Sequence, residues 1–227
     1  MSETVLIIGA GKGLSASLGR KFHEQGMSIH LAARNIEKLG AIAGELNAEL
    51  HQCDASEINE VAKLFSNLDI TIGTPDLVIY NPSSRLPGGI ADLDPYATLQ
   101  SLKITCFGAF LVAQQAASRM QKRGSGSIFF TGASAGVKAF PNSSVFAMGK
   151  FGLRALAQSL ARELHPKNIH IGHFVIDGGI TSSLNANKSE NRTLDADEIA
   201  QTYLDFFRQH RSAWAWEIEL RPWVETF

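Results

Sequence analysis

Near the N-terminus the segment Gly9-Ala10-Gly11-Lys12-Gly13-Leu14-Ser15 sets glycines at alternate positions beside a lysine and a hydroxyl. Residues without side chains let a backbone approach a pyrophosphate closely. A helix starting just beyond then offers free N–H groups and partial positive charge to the anion. A glycine cluster of this composition also serves as a plain turn; the phosphate reading is favoured by the apolar run Val5-Leu6-Ile7-Ile8 directly before it, which reads as the first buried strand. The other chemistry-bearing residues are less organised. Seven histidines are scattered without metal-ligand spacing, so no metal is expected. The two cysteines, Cys53 and Cys106, sit in apolar or helical contexts and read as reduced core thiols.

A phosphate turn works only if a strand leads into it and a helix leads out, and the rest of the chain repeats that arrangement. After Val5–Ile8, a helical stretch from Gly13 to Gln25 places Leu14, Leu18 and Phe22 on one face. Ser28–Ala32 reads as a strand, and Asn35 as the cap of a helix toward Asn47. Leu50–Cys53 is a weaker strand ended by Asp54, followed by a helix from Ser56, its cap, to Leu68. Asp76–Tyr80 is a strand closed by Asn81-Pro82-Ser83-Ser84, and a Pro- and Gly-rich loop leads to a long helix over Tyr96–Gln121. Strand Ser127–Thr131, helix Val145–Leu164, strand Ile169–Val175, helix Asp195–His210 and strand Trp214–Leu220 complete the order. Strict alternation of this kind predicts an α/β fold: a doubly wound parallel sheet of Rossmann type, with residues 1–227 as a single domain.

Bulk properties narrow the function classes. Hydrophobic content of 44% with 19% charged residues describes an ordinary globular chain. A net charge of −1, with no basic run longer than Lys122-Arg123, argues against a nucleic-acid or membrane-surface partner. The N-terminus has no basic, apolar leader, and no segment approaches the roughly 18 uninterrupted apolar residues of a membrane span. A cytoplasmic protein is expected.

The spacing and order of these motifs resemble the short-chain dehydrogenase/reductase family over nearly the whole chain. The family pattern Thr-Gly-x-x-x-Gly-x-Gly is similar to Ile8-Gly9-x-x-x-Gly13-x-Ser15, with Gly9 and Gly13 matched and Ser15 in the third place. Asp54 resembles the aspartate that binds the adenine ring. Tyr80-Asn81-Pro82-Ser83 stands in the place of Asn-Asn-Ala-Gly, with Asn81 matched. Asp177-Gly178-x-x-x-Ser182 is similar to the Pro-Gly-x-x-x-Thr segment beside the nicotinamide. The resemblance implies further cofactor contacts from Leu14, Thr131 and Ile180. It also implies NADP(H) rather than NAD(H). Where NAD-dependent members carry an Asp after the second strand, this chain has Ala33 followed by Arg34, and Lys12 precedes the second glycine. Lys12 and Arg34 together would form a cationic clip for a 2′-phosphate; ordinary solvated charges are the alternative.

The family's chemistry rests on Asn, Ser, Tyr and Lys, and here the resemblance thins. The Tyr-x-x-x-Lys segment is Phe146-Ala147-Met148-Gly149-Lys150, so the Lys is kept and the Tyr is Phe. The serine position falls on Ala133 and the asparagine position on Thr105. This resembles an atypical subgroup with Phe for the active-site Tyr. Losing a positioned general acid lowers a rate by roughly 10²–10⁴. Ser134, Ser143, Ser144 and Tyr80 are the substitutes at hand. Lys150, without a Tyr, is expected to be a cofactor ligand first. Three readings stand: an NADP(H)-dependent oxidoreductase on a small carbonyl or alcohol, a cofactor-binding sensor or partner protein without dehydrogenase chemistry, and a relic with an empty pocket. The polar stretch with Asn185, Asn187 and Asn191 reads as a substrate lid unsuited to greasy substrates, or as a surface loop. Apolar residues Leu99, Leu102, Ile104, Phe107, Phe110 and Leu111 on one long helix, with Phe151, Leu153, Leu156 and Leu160 on the other, exceed what one sheet face can cover. They predict self-association, and the resemblance implies a homodimer or homotetramer.

Overall fold

Continuous apolar runs become strands covered on both faces, and the alternation of side chains decides which layer each residue enters. The computed structural model describes residues 2–181 and 193–224. In order, it contains β1 (Thr4–Ile8), α1 (Leu14–Glu24), β2 (Ser28–Ala33), α2 (Gly40–Leu46), β3 (Glu49–Gln52), α3 (Ile58–Thr71) and β4 (Leu77–Tyr80). It continues with α4 (Pro95–Leu102), α5 (Gly108–Arg123), β5 (Gly126–Thr131), α6 (Ser144–Leu164), β6 (Ile169–Ile176), β7 (Gly179–Thr181), β8 (Thr193–Asp195), α7 (Ala196–Phe207) and β9 (Glu217–Leu220). Seven strands form one sheet in the order β3-β2-β1-β4-β5-β6-β9. Every pairing in it is parallel, as where Val5 stands beside Ile29 and Leu77.

Because successive side chains point to opposite faces, β1 splits its apolar run between two cores. Leu6 and Ile8 join Val78, Ile128 and Ile171 under Phe65, Val112, Ala116 and Leu153. Val5 and Ile7 join Ile29, Ile79 and Phe129 under Leu18, Phe22, Ile199 and Tyr203. This is the single-domain, doubly wound α/β architecture that the alternating pattern predicts.

Local departures have identifiable causes. The helix expected over Tyr96–Gln121 is continuous but contains a π turn at Lys103–Phe107, between α4 and α5. Ser56 does not cap α3: Glu57 holds that position without a side-chain bond. The Ser56 hydroxyl is drawn instead to Asp54 Oδ1 at 2.7 Å. Asn35 accepts the Glu37 N–H at 3.1 Å and starts a short 3-10 turn rather than α2 itself. The last strand begins at Glu217 rather than Trp214 because Arg211–Ala213 coils into a 3-10 turn. The pairing of β7 with β8 has no counterpart in the sequence reading. Ser182, Asn185, Asn187 and Asn191 lie outside the described residues.

By length and composition the run Pro95–Arg123 could cross a membrane, with a window of mean hydropathy 1.2. In this fold its Ala109, Val112, Ala116 and Met120 are wholly buried in the core.

Candidate functional site

The C-terminal ends of β1 through β4 open onto one cleft of about 440 Å³, whose lining includes Gly9, Arg34, Cys53, Asp54 and Asn81. It lies where the strand order reverses between β1 and β4, the place where open α/β sheets bind ligands. Gly9 turns the chain out of β1 at φ +77°, and a Cβ there would stand 2.7 Å from the Pro82 nitrogen. Gly11 and Gly13 differ: a Cβ at either would meet no atom within 4 Å. Internal crowding therefore does not explain those two glycines. They leave the space before α1 open, and no side chain caps that helix. The free N–H groups of its first turn are left for an outside acceptor.

Ser15, the departure from the glycine pattern, is built into the turn. Its hydroxyl donates to the Gly9 carbonyl at 3.1 Å and accepts from Asn81 Nδ2 at 2.8 Å, tying the turn to the end of β4. The Asp54 carboxylate accepts both the N–H and the hydroxyl of Ser56, at 3.0 and 2.7 Å. Burial, with Glu60 and Asp54 nearby, pushes the Cys53 thiol up to about 12, so it stays protonated near neutrality. Arg34 is exposed on the cleft wall and makes no hydrogen bond or ion pair among the described residues. Lys12 is exposed on the outer turn, and no contact joins it to Arg34.

A second group gathers past the ends of β5 and β6. Lys150, 2% exposed, reaches from α6 to the Thr131 carbonyl with an Nζ–O distance of 2.7 Å. Burial, and then the charge of Arg85, lowers this ammonium to about 7. Thr131 turns its hydroxyl the other way, 2.9 Å from the Tyr203 hydroxyl. Phe146 forms a small buried cluster with Ala133 and Ala135, so the fold does bring positions 133 and 146 together, both apolar. Thr105, in the π turn, accepts the Ser84 N–H at 3.0 Å, which fixes the loop after β4. Gly178 and Ile180 are exposed just beyond β6, and Leu14 is buried at the start of α1. The predicted residues thus fall into two neighbourhoods. Gly9, Arg34, Asp54 and Asn81 share the cleft, while Thr105, Thr131, Ala133, Phe146 and Lys150 lie around the ends of β5 and α6.

The substitutes proposed for a missing proton donor fare differently. The Tyr80 hydroxyl donates to the Ile104 carbonyl at 2.5 Å, and burial raises its pKa above the ordinary tyrosine value. It is a strut between β4 and the π turn, not an acid. Ser134, Ser143 and Ser144 make no side-chain hydrogen bond among the described residues.

Two features escaped the sequence reading. Arg85 lies over the Phe146 ring, 4.7 Å from its centroid; no periodicity links a loop residue to a distant helix. His173, wholly buried on β6, has Nδ1 2.9 Å from Glu217 Oε2, and Arg154 closes on the same carboxylate with two contacts of 2.7 Å. A histidine within a mostly apolar strand was the one available hint.

Comparison with known proteins agrees with the fold. The profile of the family described as short chain dehydrogenase matches residues 3–193. An uncharacterized oxidoreductase of Staphylococcus aureus strain N315 is 25% identical over 226 residues, covering 97% of each chain. Among solved structures, a short-chain dehydrogenase from Rhodopseudomonas palustris superposes with a TM-score of 0.85 at 30% identity, covering 97% of this chain and 99% of the other. A metagenomic short-chain oxidoreductase in complex with NADP gives a TM-score of 0.86 at 23% identity, over 98% of both chains.

Proposed function

The chain belongs to the short-chain dehydrogenase family, and on that premise we propose that it binds NADP(H) and acts as an oxidoreductase on a small carbonyl or alcohol. The observation that carries the reading is the open phosphate turn followed by a free Arg34, with no carboxylate beside it at position 33. The residues present fit a dinucleotide. Gly9, Lys12, Gly13 and Leu14 would hold its phosphates on the α1 terminus, and Arg34 would hold a 2′-phosphate. Asp54 would face the adenine, and Asn81, Thr131, Lys150, Gly178 and Ile180 would follow the ribose and nicotinamide. A bound nicotinamide supplies or accepts the hydride. That a neighbour of the same fold was solved with NADP supports this cofactor type.

What the chain's own residues do at the reacting end is unusual for the family, and we assign the protein to an atypical subgroup. Phe146 has no proton to give, Ala133 no donor, and the Thr105 hydroxyl is occupied by Ser84. Lys150 would keep a binding role by contacting the ribose. The apolar cluster of Ala133, Ala135 and Phe146 favours a second reading, a cofactor-binding sensor or partner protein with little turnover. A cytoplasmic location and self-association belong to the same proposal.

Titration of the pure protein with NADPH and NADH tests it. NADPH should bind about ten- to a hundredfold more tightly, the worth of one charge-assisted phosphate contact, and Arg34→Asp should narrow or reverse the gap. Equal affinities would overturn the cofactor assignment.

A further inference from the structure

Two basic side chains, Arg85 and Lys150, lie near the Phe146 ring. The Arg85 guanidinium lies 4.7 Å from the Phe146 ring centroid, and Lys150 Nζ lies 5.9 Å from the same centroid. An aromatic face attracts a cation by about 0.5–2 kcal/mol, enough to orient Arg85 while leaving its fork of N–H donors unused. Among the described residues Arg85 has no hydrogen bond and no ion pair. Lys150 spends one donor on the Thr131 carbonyl. The acids on adjoining elements are already engaged: Asp177 pairs with Lys138 at 3.0 Å, and Glu217 pairs with Arg154 and His173. The charge of Arg85 is felt at Lys150, whose ammonium it disfavours beyond the effect of burial. Such a field is relieved by an anion. Arginine's planar fork matches a carboxylate with two parallel bonds, and the ring it lies over, Phe146, is apolar.

We propose that Arg85, seated on the Phe146 ring beside Lys150, binds the carboxylate of a small oxo or hydroxy acid and selects this substrate class. The proposal rests on the oxidoreductase reading and narrows it. Arg85 is exposed on a loop, so its replacement should leave the fold intact.

Calorimetric titration of NADPH-saturated protein with 2-hydroxybutyrate, its amide and inorganic phosphate tests the site without turnover, because reduced cofactor and alcohol form a dead-end pair. The carboxylate should bind about tenfold or more tightly than the amide, and more tightly than phosphate. Arg85→Gln should lose about the same factor while its melting temperature and NADPH affinity stay unchanged, and Arg85→Lys should recover only part. The cofactor-free protein should rank the three probes in the same order. Equal binding of acid and amide, preference for phosphate, or full affinity in Arg85→Gln would overturn the proposal. Failure to bind NADPH would instead remove the reading beneath it, and the cofactor-free titration would still judge the carboxylate site.

Discussion

Burial of an ammonium with no carboxylate beside it is the property of Lys150 that most constrains chemistry at this site. A lysine held near 7 is charged in only part of the molecules at neutral pH, and its field still reaches position 146 one helical turn away. Phe146 therefore lies close to two basic groups, at 4.7 and 5.9 Å from its ring centroid, without a group for them to act on. A phenol there would be acidified by both. We expect Ala133→Ser with Phe146→Tyr to raise turnover of simple ketones and aldehydes by tenfold or more, short of the roughly 10²–10⁴ of a full general acid, because the Thr105 hydroxyl is tied to Ser84. Ultraviolet titration of the new tyrosine should give a pKa below the ordinary value of about 10. Brisk wild-type turnover that survives Ser134→Ala and Ser144→Ala would show that the chemistry does not use these positions.

At the scale of elements, Glu217 fastens the edge strand β9 to α6 and β6 at once. Burial alone would raise its pKa, but hydrogen bonds from Arg154 and His173 outweigh it and hold the carboxyl at about 2. A carboxylate depressed in the folded state contributes stability above its unfolded value of about 4.5, and that contribution fades as pH falls toward 2. Glu217→Gln should therefore lower stability at pH 7 by about 1.5 kcal/mol, the low end for charged hydrogen bonds since Arg154 is a third exposed. In thermal melts the difference from wild type should shrink between pH 4.5 and 3. A difference independent of pH would mean that the carboxylate charge is not what binds β9. The strands themselves were legible in the sequence, because a strand buried on both faces must be written as an unbroken apolar run. The phosphate turn was legible because only glycine permits the chain reversal at Gly9. The π turn was not, since one inserted residue leaves the apolar pattern of α4 and α5 nearly unchanged. Ser56 looked like a helix cap because hydroxyls cap helices, and only the fold reveals the closer competitor, Asp54. Arg85 and Phe146 meet through tertiary structure alone, so their pairing leaves no trace in local spacing.

On the scale of the whole molecule, α4, α5 and α6 carry an apolar strip that the sheet does not cover. Leu99, Phe110 and Met148 are 56%, 42% and 54% exposed, and with Phe107 they line a groove of about 680 Å³. Leu111 and Leu153, which the sequence assigned to the same surplus, are instead inside this chain's own core at 6% and 0% exposure. The strip also accounts for the hydropathy of Pro95–Arg123, because residues that would face lipid in a membrane helix here face outward beside α6. Monomers rarely leave a contiguous apolar patch of this kind in water. A second copy laid across the strip by a twofold axis would cover each patch with its equivalent, since a closed symmetric interface is self-complementary. Burying one large apolar side chain is worth about 1.5–3 kcal/mol, so a charge near the centre of the strip should be decisive. We expect the protein to sediment as a dimer or tetramer at micromolar concentration, and Phe110→Glu with Met148→Glu to shift it to monomer with the melting temperature of the monomeric fold retained. Wild-type protein that sediments only as monomer would sink the assignment. An oligomer indifferent to both charges would move the interface elsewhere on the surface.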